Sequence, residues 1–524
     1  MSDDSHVTDT EPNAAPPHSM TSSTLGRIAV RVTIWTGIGT YLNQLIGFVA
    51  TLVMTRLLDP SVFGTFSLAT FWFTLLNLRP KSGISYSAIR QPESNGTLLG
   101  TYWGLDALLA VGSLLLSIVT GFILLWLYAN VPAFTYTPLI VVSIIVLMLA
   151  DGISVIVSPL SLVLEKEMQL SRLTLVSLVA ALVAYAAAIG LALMGAGIGA
   201  LLAVNIVTAL VSMAGVFVVC RRRWPQAFRW HWHFDRHFAR RLTREGLPTG
   251  MSLTALGSIV TQFDNFLIGT FVGATTLGYY DRAYRIASWP NILLTMIVSR
   301  VGFLTFTKVR DDQARLTHAV RLSFWVLLTL GIPIALVLFF GAEDVVKILY
   351  TSKYSESAYF LRFLTLYSLV WPFVSLGFWL AVSLGHHRRT VGMTTVQAAS
   401  LMLLGLPLTL QFGVNGTLVA VAATMVLAFS VSCRYIFRQV VLSVWNVFGA
   451  HVLALLAAVL ILVALQQLLV WNSLHSIVRL MLIGILGNGT FLLTLFILRP
   501  QETRERVAYV RDRFLHESRQ RNSE

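Results

Sequence analysis

Asp264, Arg282 and Arg285 stand inside apolar sequence, where a charge is costly and normally faces a cavity or a partner. Asp264 comes eight residues before the end of the apolar run 248–272, and Arg285 about eight residues into the run 277–300. Equal steps from one turn put both about 12 Å deep at 1.5 Å per residue, with Arg282 one helical turn nearer the surface. One reading is an Asp264–Arg285 ion pair that pins a helical hairpin. The other is a charged site facing a cleft, which could contact an anionic headgroup or a coupling ion. The two are compatible. Arginine suits a pyrophosphate, because its planar fork gives paired, charge-assisted hydrogen bonds and stays ionised.

Uncharged polar residues extend the set. Asn43 and Gln44 fall in the middle of the first apolar run, and Gln262 and Asn265 flank Asp264. Amides could bind sugar hydroxyls in a wet cleft, or join helices by hydrogen bonds worth about 1 kcal/mol or less in a membrane. Arg56 and Arg79 lie near helix ends, Arg79 beside Pro80 and Lys81, where a phosphate or ordinary positive anchoring would equally suit them. Asp106 and Asp151 lie well inside their runs and could carry a coupling proton, as Asp264 could, or be buried, hydrogen-bonded carboxyls. The pairs Trp289-Pro290 and Trp371-Pro372 predict kinks, since proline frees a carbonyl of the preceding turn. Trp103, Trp126, Trp371 and Trp379 read as interface or packing residues, although an indole can also stack on a sugar ring.

Covalent chemistry has little support. The sequence holds no DxD and no CxxC, and its two cysteines, Cys220 and Cys433, sit at predicted helix ends. Neither a metal site, a cofactor nor an enzyme active site is expected.

The elements that carry these residues are membrane helices. Hydrophobic residues make up 56% of the chain and charged ones 12%, against about 25% charged in a soluble globule. About fourteen apolar runs, from 30–55 to 477–498, each approach the ~20 residues that cross a bilayer. Of 38 lysines and arginines, only Arg56, Arg282, Arg285, Lys347, Lys353, Arg362 and Arg479 sit in or beside the odd-numbered gaps. The rest crowd the even gaps and the tails, which puts both termini in the cytoplasm. The same distribution assigns the net charge of +14 to topology and anionic headgroups rather than to nucleic acid. Residues 1–26 are acidic and rich in Pro, Ser and Thr, which predicts a disordered cytoplasmic tail, and 499–524 predicts a short surface helix.

The chain is written twice. LLDPSVFGTFSLA (57–69) resembles FVGATTLGYYDRA (271–283), aligning Gly64 with Gly278, Phe63 with Leu277, Phe66 with Tyr280 and Ala69 with Ala283 at an offset of 214. GIGALLAV (197–204) resembles GVNGTLVAV (413–421), and VVCR (218–221) resembles VSCR (431–434). Copies separated by six spans run in the same sense, as parallel repeats about an axis along the membrane normal. The expected fold is therefore an all-α integral membrane protein of about fourteen transmembrane helices, with two parallel six-helix lobes and two C-terminal helices. The expected divisions are an N-lobe at 27–219, a basic cytoplasmic linker at 220–247, a C-lobe at 248–440, two further helices at 441–498 and a tail at 499–524.

The two turn sequences, with KYSESAYFLRFL (353–364) and SLGHHRRT (383–390), resemble the polysaccharide-flippase branch of the multidrug/oligosaccharidyl-lipid/polysaccharide exporter superfamily. The resemblance covers about 27–498 and rests on the order and spacing of these motifs. It implies a bacterial inner-membrane protein that turns undecaprenyl-pyrophosphate-linked sugar repeats from inner to outer leaflet. The partners implied are the lipid-linked oligosaccharide, membrane lipids and a polysaccharide polymerase or synthase. A cation-coupled drug antiporter on the same fold is the alternative. The several cavity arginines common in the lipid II branch have here only Arg31, Arg56 and Arg79 as counterparts, all near helix ends.

Overall fold

The computed structural model describes residues 22–91, 95–130, 136–228, 233–250, 256–467 and 474–501. The expected disordered tail and C-terminal surface helix fall almost wholly outside these residues. Among the described residues every regular element is a helix. The first half contains α1 (Ser22–Leu57), α2 (Pro60–Leu76), α3 (Arg79–Ser82), α4 (Ile84–Ile89), α5 (Gly96–Asn130), α6 (Pro138–Val155), α7 (Ser158–Lys166), α8 (Leu170–Leu193) and α9 (Ile198–Arg223). A linker helix, α10 (Arg236–Gly250), follows. The second half contains α11 (Leu256–Phe271), α12 (Ala274–Met296), α13 (Phe303–Val309), α14 (Gln313–Phe340), α15 (Ala342–Leu349), α16 (Ser357–Ser383) and α17 (His387–Gln439). The chain closes with α18 (Val444–Gln466), α19 (Ser476–Leu482) and α20 (Asn488–Leu498).

Eleven membrane-length apolar helices are found among the described residues. The longest of them breaks at Gly413, whose φ of 58° and ψ of −137° are open to glycine and strained for other residues. α11 and α12 fall outside the eleven for a physical reason: α11 is 16 residues long, and α12 carries Asp281, Arg282 and Arg285. Arg282 and Arg285 are two of the charges the sequence singled out, so α12 is the helix to follow.

The two halves meet along a seam where α2 crosses α12, and the repeat offset reappears there as contact geometry. A Cβ on Gly64 would lie 1.7 Å from the carbonyl oxygen of Ala274, and one on Gly278 would lie 1.8 Å from that of Pro60. Each contact becomes the other when 214 is added to the first-half residue. Ser67 donates to Oδ1 of Asp281 at 3.4 Å, a bond between residues 214 positions apart. Equivalent positions facing each other define a two-fold-like contact, built from the first residues of two equivalent helices. Glycine is needed at both because only a missing side chain lets the backbones approach so closely.

Further bonds close the seam. Tyr354, fully buried, donates to the carbonyl of Leu58 at 2.9 Å, and Lys353 pairs with Asp59 at 2.8 Å. On the opposite side of the molecule the linker docks onto the first half. Ser87 donates to the Leu242 carbonyl at 2.9 Å, and Gly83 and Gly246 cross at backbone contact distance. Asp235 caps α10 by accepting from the backbone N–H groups of His237 and Phe238, which holds its carboxyl below the usual range.

Candidate functional site: a polar cavity between the halves

Above α12 the halves are in close contact, but beside it they are not. A cavity of about 410 Å³ lies between α1, α8 and α9 of the first half and α12 of the second. Asn43, Gln44, Tyr185, Thr208, Arg285 and Ser288 face it. Helical spacing explains the grouping. Asn43, Gln44, Gly47 and Thr51 follow one another at intervals of one, three and four along a face of α1, and Arg285, Ser288 and Trp289 do the same on α12. Trp289 packs on Phe48 at 4.4 Å between ring centres, so an aromatic pair floors the contact between α1 and α12. The equivalent approach on the other flank, α2 against α11, is filled instead. Phe71 stacks on Phe266 at 4.9 Å, and Tyr136 links the Trp72 indole N–H (3.0 Å) to the Thr270 hydroxyl (2.7 Å). The opening between the halves is therefore one-sided.

Arg285 reaches the cavity while anchored behind. Its Nε donates to Oδ2 of Asp281 at 3.4 Å, and its side chain keeps 49% of its accessible surface. Arg282 donates to the same Asp281 oxygen from Nε at 3.0 Å, and Nη2 is a second donor to it. Unlike Arg285 it is sealed, 2% exposed, with its guanidinium 4.0 Å above the Phe63 ring of the first half. A cation over an aromatic face in a desolvated setting is attracted by about 2 kcal/mol. One nitrogen, Nη1, is buried without a partner among the described residues. One carboxylate thus serves two guanidinium groups, one held in the seam and one presented to the cavity.

This corrects the expected pairing. Asp264 and Arg285 do not meet: Asp264 accepts from the Tyr280 hydroxyl at 2.6 Å and from the backbone N–H of Asn265 at 2.9 Å. The i,i+4 spacing of Asp281 and Arg285, on one helix, was the available signal; depth counting across the turn overlooked it. Asn265 donates to Gln262 at 2.9 Å, so the amides beside Asp264 bond to each other on α11, and neither is among the residues facing this cavity. Arg56 is exposed at the end of α1.

Arg79, Asp106 and Asp151, read separately from the sequence, form one cluster. Arg79 donates from Nε and Nη2 to the two oxygens of Asp106, each at 2.7 Å, and from Nη1 to Asp151 at 2.8 Å. Nη1 also reaches the Ser154 hydroxyl at 2.8 Å. The fork ties the start of α3, just after α2, to α5 and α6. Removing a buried ion's partner leaves an uncompensated charge at a cost of about 3–5 kcal/mol, whereas removing all the ions can be near neutral. Arg79→Ala is therefore expected to lower the thermal-unfolding midpoint of the purified protein sharply. The triple variant Arg79→Leu, Asp106→Asn, Asp151→Asn should recover most of that loss.

These features define a class: a multi-pass membrane protein of two like halves, closed along a glycine seam and open at one polar flank. Residues 53–359 match the family described as polysaccharide biosynthesis protein, and the chain belongs to that family. The succinoglycan biosynthesis transport protein ExoT of Rhizobium meliloti is 26% identical over 314 residues, 59% of this chain and 60% of that protein. The lipopolysaccharide biosynthesis protein WzxC of Escherichia coli is 24% identical over 348 residues, 64% and 66% of the two chains. The chain thus matches less than two thirds of either relative's length. Among solved structures, the lipid II flippase MurJ in an inward closed conformation superposes with a TM-score of 0.70 at 15% identity, over 90% of this chain and all of that one. An inward-facing multidrug resistance MATE family transporter does so with 0.55 at 14% identity, over 76% and 95%. The all-helical membrane fold class is the expected one, and three of these four proteins carry names of a transport protein, a flippase and a transporter.

Proposed function

We propose that the chain flips undecaprenyl-pyrophosphate-linked oligosaccharide repeats from the inner to the outer leaflet of a bacterial inner membrane, by alternating access and without covalent chemistry. The observation that carries this reading is the one-sided cavity, in which a guanidinium stands among amides and hydroxyls between two lobes. Arg285 supplies charge-assisted hydrogen bonds to phosphate, and Asn43 and Gln44 supply amides to sugar hydroxyls. A lateral opening lets the lipid tail stay in the bilayer while the head crosses. Both termini are cytoplasmic in this reading, so the glycine seam closes the outer side and the linker lies on the inner side. The names of the two polysaccharide-related relatives point the same way.

A drug antiporter would need a carboxylate in an apolar cavity. The described residues around this cavity include an arginine and no acid, and Asp264 is turned to Tyr280. The test is purified protein in vesicles with labelled undecaprenyl-pyrophosphate-sugar, read by access of an impermeant reagent to each leaflet. Arg285→Ala should slow transfer at least about 30-fold, the equivalent of the ~2 kcal/mol lost when a hydrogen-bonded charge is truncated. Movement that is equally fast without protein, or unchanged in Arg285→Ala, refutes the reading.

A further inference from the structure

A second cavity, of about 230 Å³, lies wholly within the second half, between α11, α16 and α17. Trp371, Ser375 and Trp379 project into it from α16 at i, i+4 and i+8, one stripe of that helix. Met393, Thr394 and Gln397 close it from α17. Among the described residues no charged side chain lines it. Gln397 is 6% exposed and Ser375 is 8% exposed, yet among the described residues neither side chain has a hydrogen-bond partner. Their polar atoms therefore line the cavity with hydrogen-bonding capacity left over, and an occupant that hydrogen-bonds would use it.

We propose that this cavity binds a neutral sugar ring. Three features select that chemistry. The indoles offer flat apolar faces suited to the C–H face of a pyranose, with ring N–H groups as donors at the edge. The amide both donates and accepts, as a ring hydroxyl pair requires. The lack of charge disfavours phosphate, and an acyl chain would leave Gln397 and Ser375 dry. The space is sufficient: a cavity of about 150 Å³ holds benzene, and a substituted six-membered ring needs somewhat more. That the ring belongs to the transported head, at a subsite separate from Arg285, rests on the flippase reading; the binding itself does not.

The experiment uses full-length protein in lipid nanodiscs and saturation-transfer NMR with the methyl glycosides of glucose, galactose, mannose and N-acetylglucosamine as probes. At least one glycoside should receive saturation. Gln397→Leu should weaken its binding tenfold or more, and Ser375→Leu, which fills the cavity, should abolish it. Should one variant fail to fold, the other is read. Arg285→Ala should leave glycoside binding unchanged, so failure of transport and failure of this site are separable. Absence of saturation for all four probes overturns the proposal, as does binding that neither variant alters. Quenching of tryptophan by brominated acyl chains that both variants remove would assign the cavity to a lipid tail, and also overturns it.

Discussion

Gly278→Ala is expected to part the two halves at their seam and cut transport more than tenfold. The added Cβ would sit 1.8 Å from the Pro60 carbonyl oxygen, a backbone atom that no rotamer change can move. Overpacking usually costs about 1–3 kcal/mol, and a backbone clash stands at the upper end or beyond. Relief comes only by separating α2 from α12. That movement also relieves the clash at Gly64, so Gly64→Ala with Gly278→Ala should be little worse than either alone, a departure from additivity that marks a shared contact. Ser67→Cys provides the readout. At 6% exposure it should resist an impermeant maleimide in the parent and react in the Gly278→Ala background. The two native cysteines are buried, which keeps the background low. Slow labelling in both backgrounds would show that the seam absorbs the methyl group.

The second large effect is expected at Asp281. Its removal strands Arg282, 2% exposed and pressed on Phe63, and releases Arg285 into the cavity. Loss of a buried ion's partner costs about 3–5 kcal/mol. Asp281→Ala should therefore lower the thermal midpoint far more than Arg285→Ala, whose side chain is half exposed. Asp281→Ala together with Arg282→Leu should regain most of the stability while transport stays impaired, because Arg285 has still lost its anchor. If the double variant is as unstable as the single, the stranded guanidinium is not the cause.

The architecture was largely legible from the chain. Apolar runs of membrane length and the repeated turn sequence required no knowledge of packing, and the offset of 214 recurs in the Ser67–Asp281 hydrogen bond. The site was legible in pieces. Asn43, Gln44 and Arg285 stood out as polar groups in apolar helices, and they line one cavity. Their neighbours in space are set by tertiary packing, and there the sequence carried less. Arg79, Asp106 and Asp151 come from separate helices, so nothing local in the chain couples them. Tyr280 as the partner of Asp264 depends on how α11 and α12 rotate about their axes, which residue counting does not determine.

Two copies that met as separate, identical chains would place every axial side chain opposite its own twin. A carboxylate at that point would confront another carboxylate, and a serine would leave nothing to hold a cation. Joined in one polypeptide, the copies are free to disagree: Ser67 stands opposite Asp281, and Leu68 occupies the position equivalent to Arg282. Joining the two copies in one chain is thus what permits a single charged flank beside a seam of paired positions.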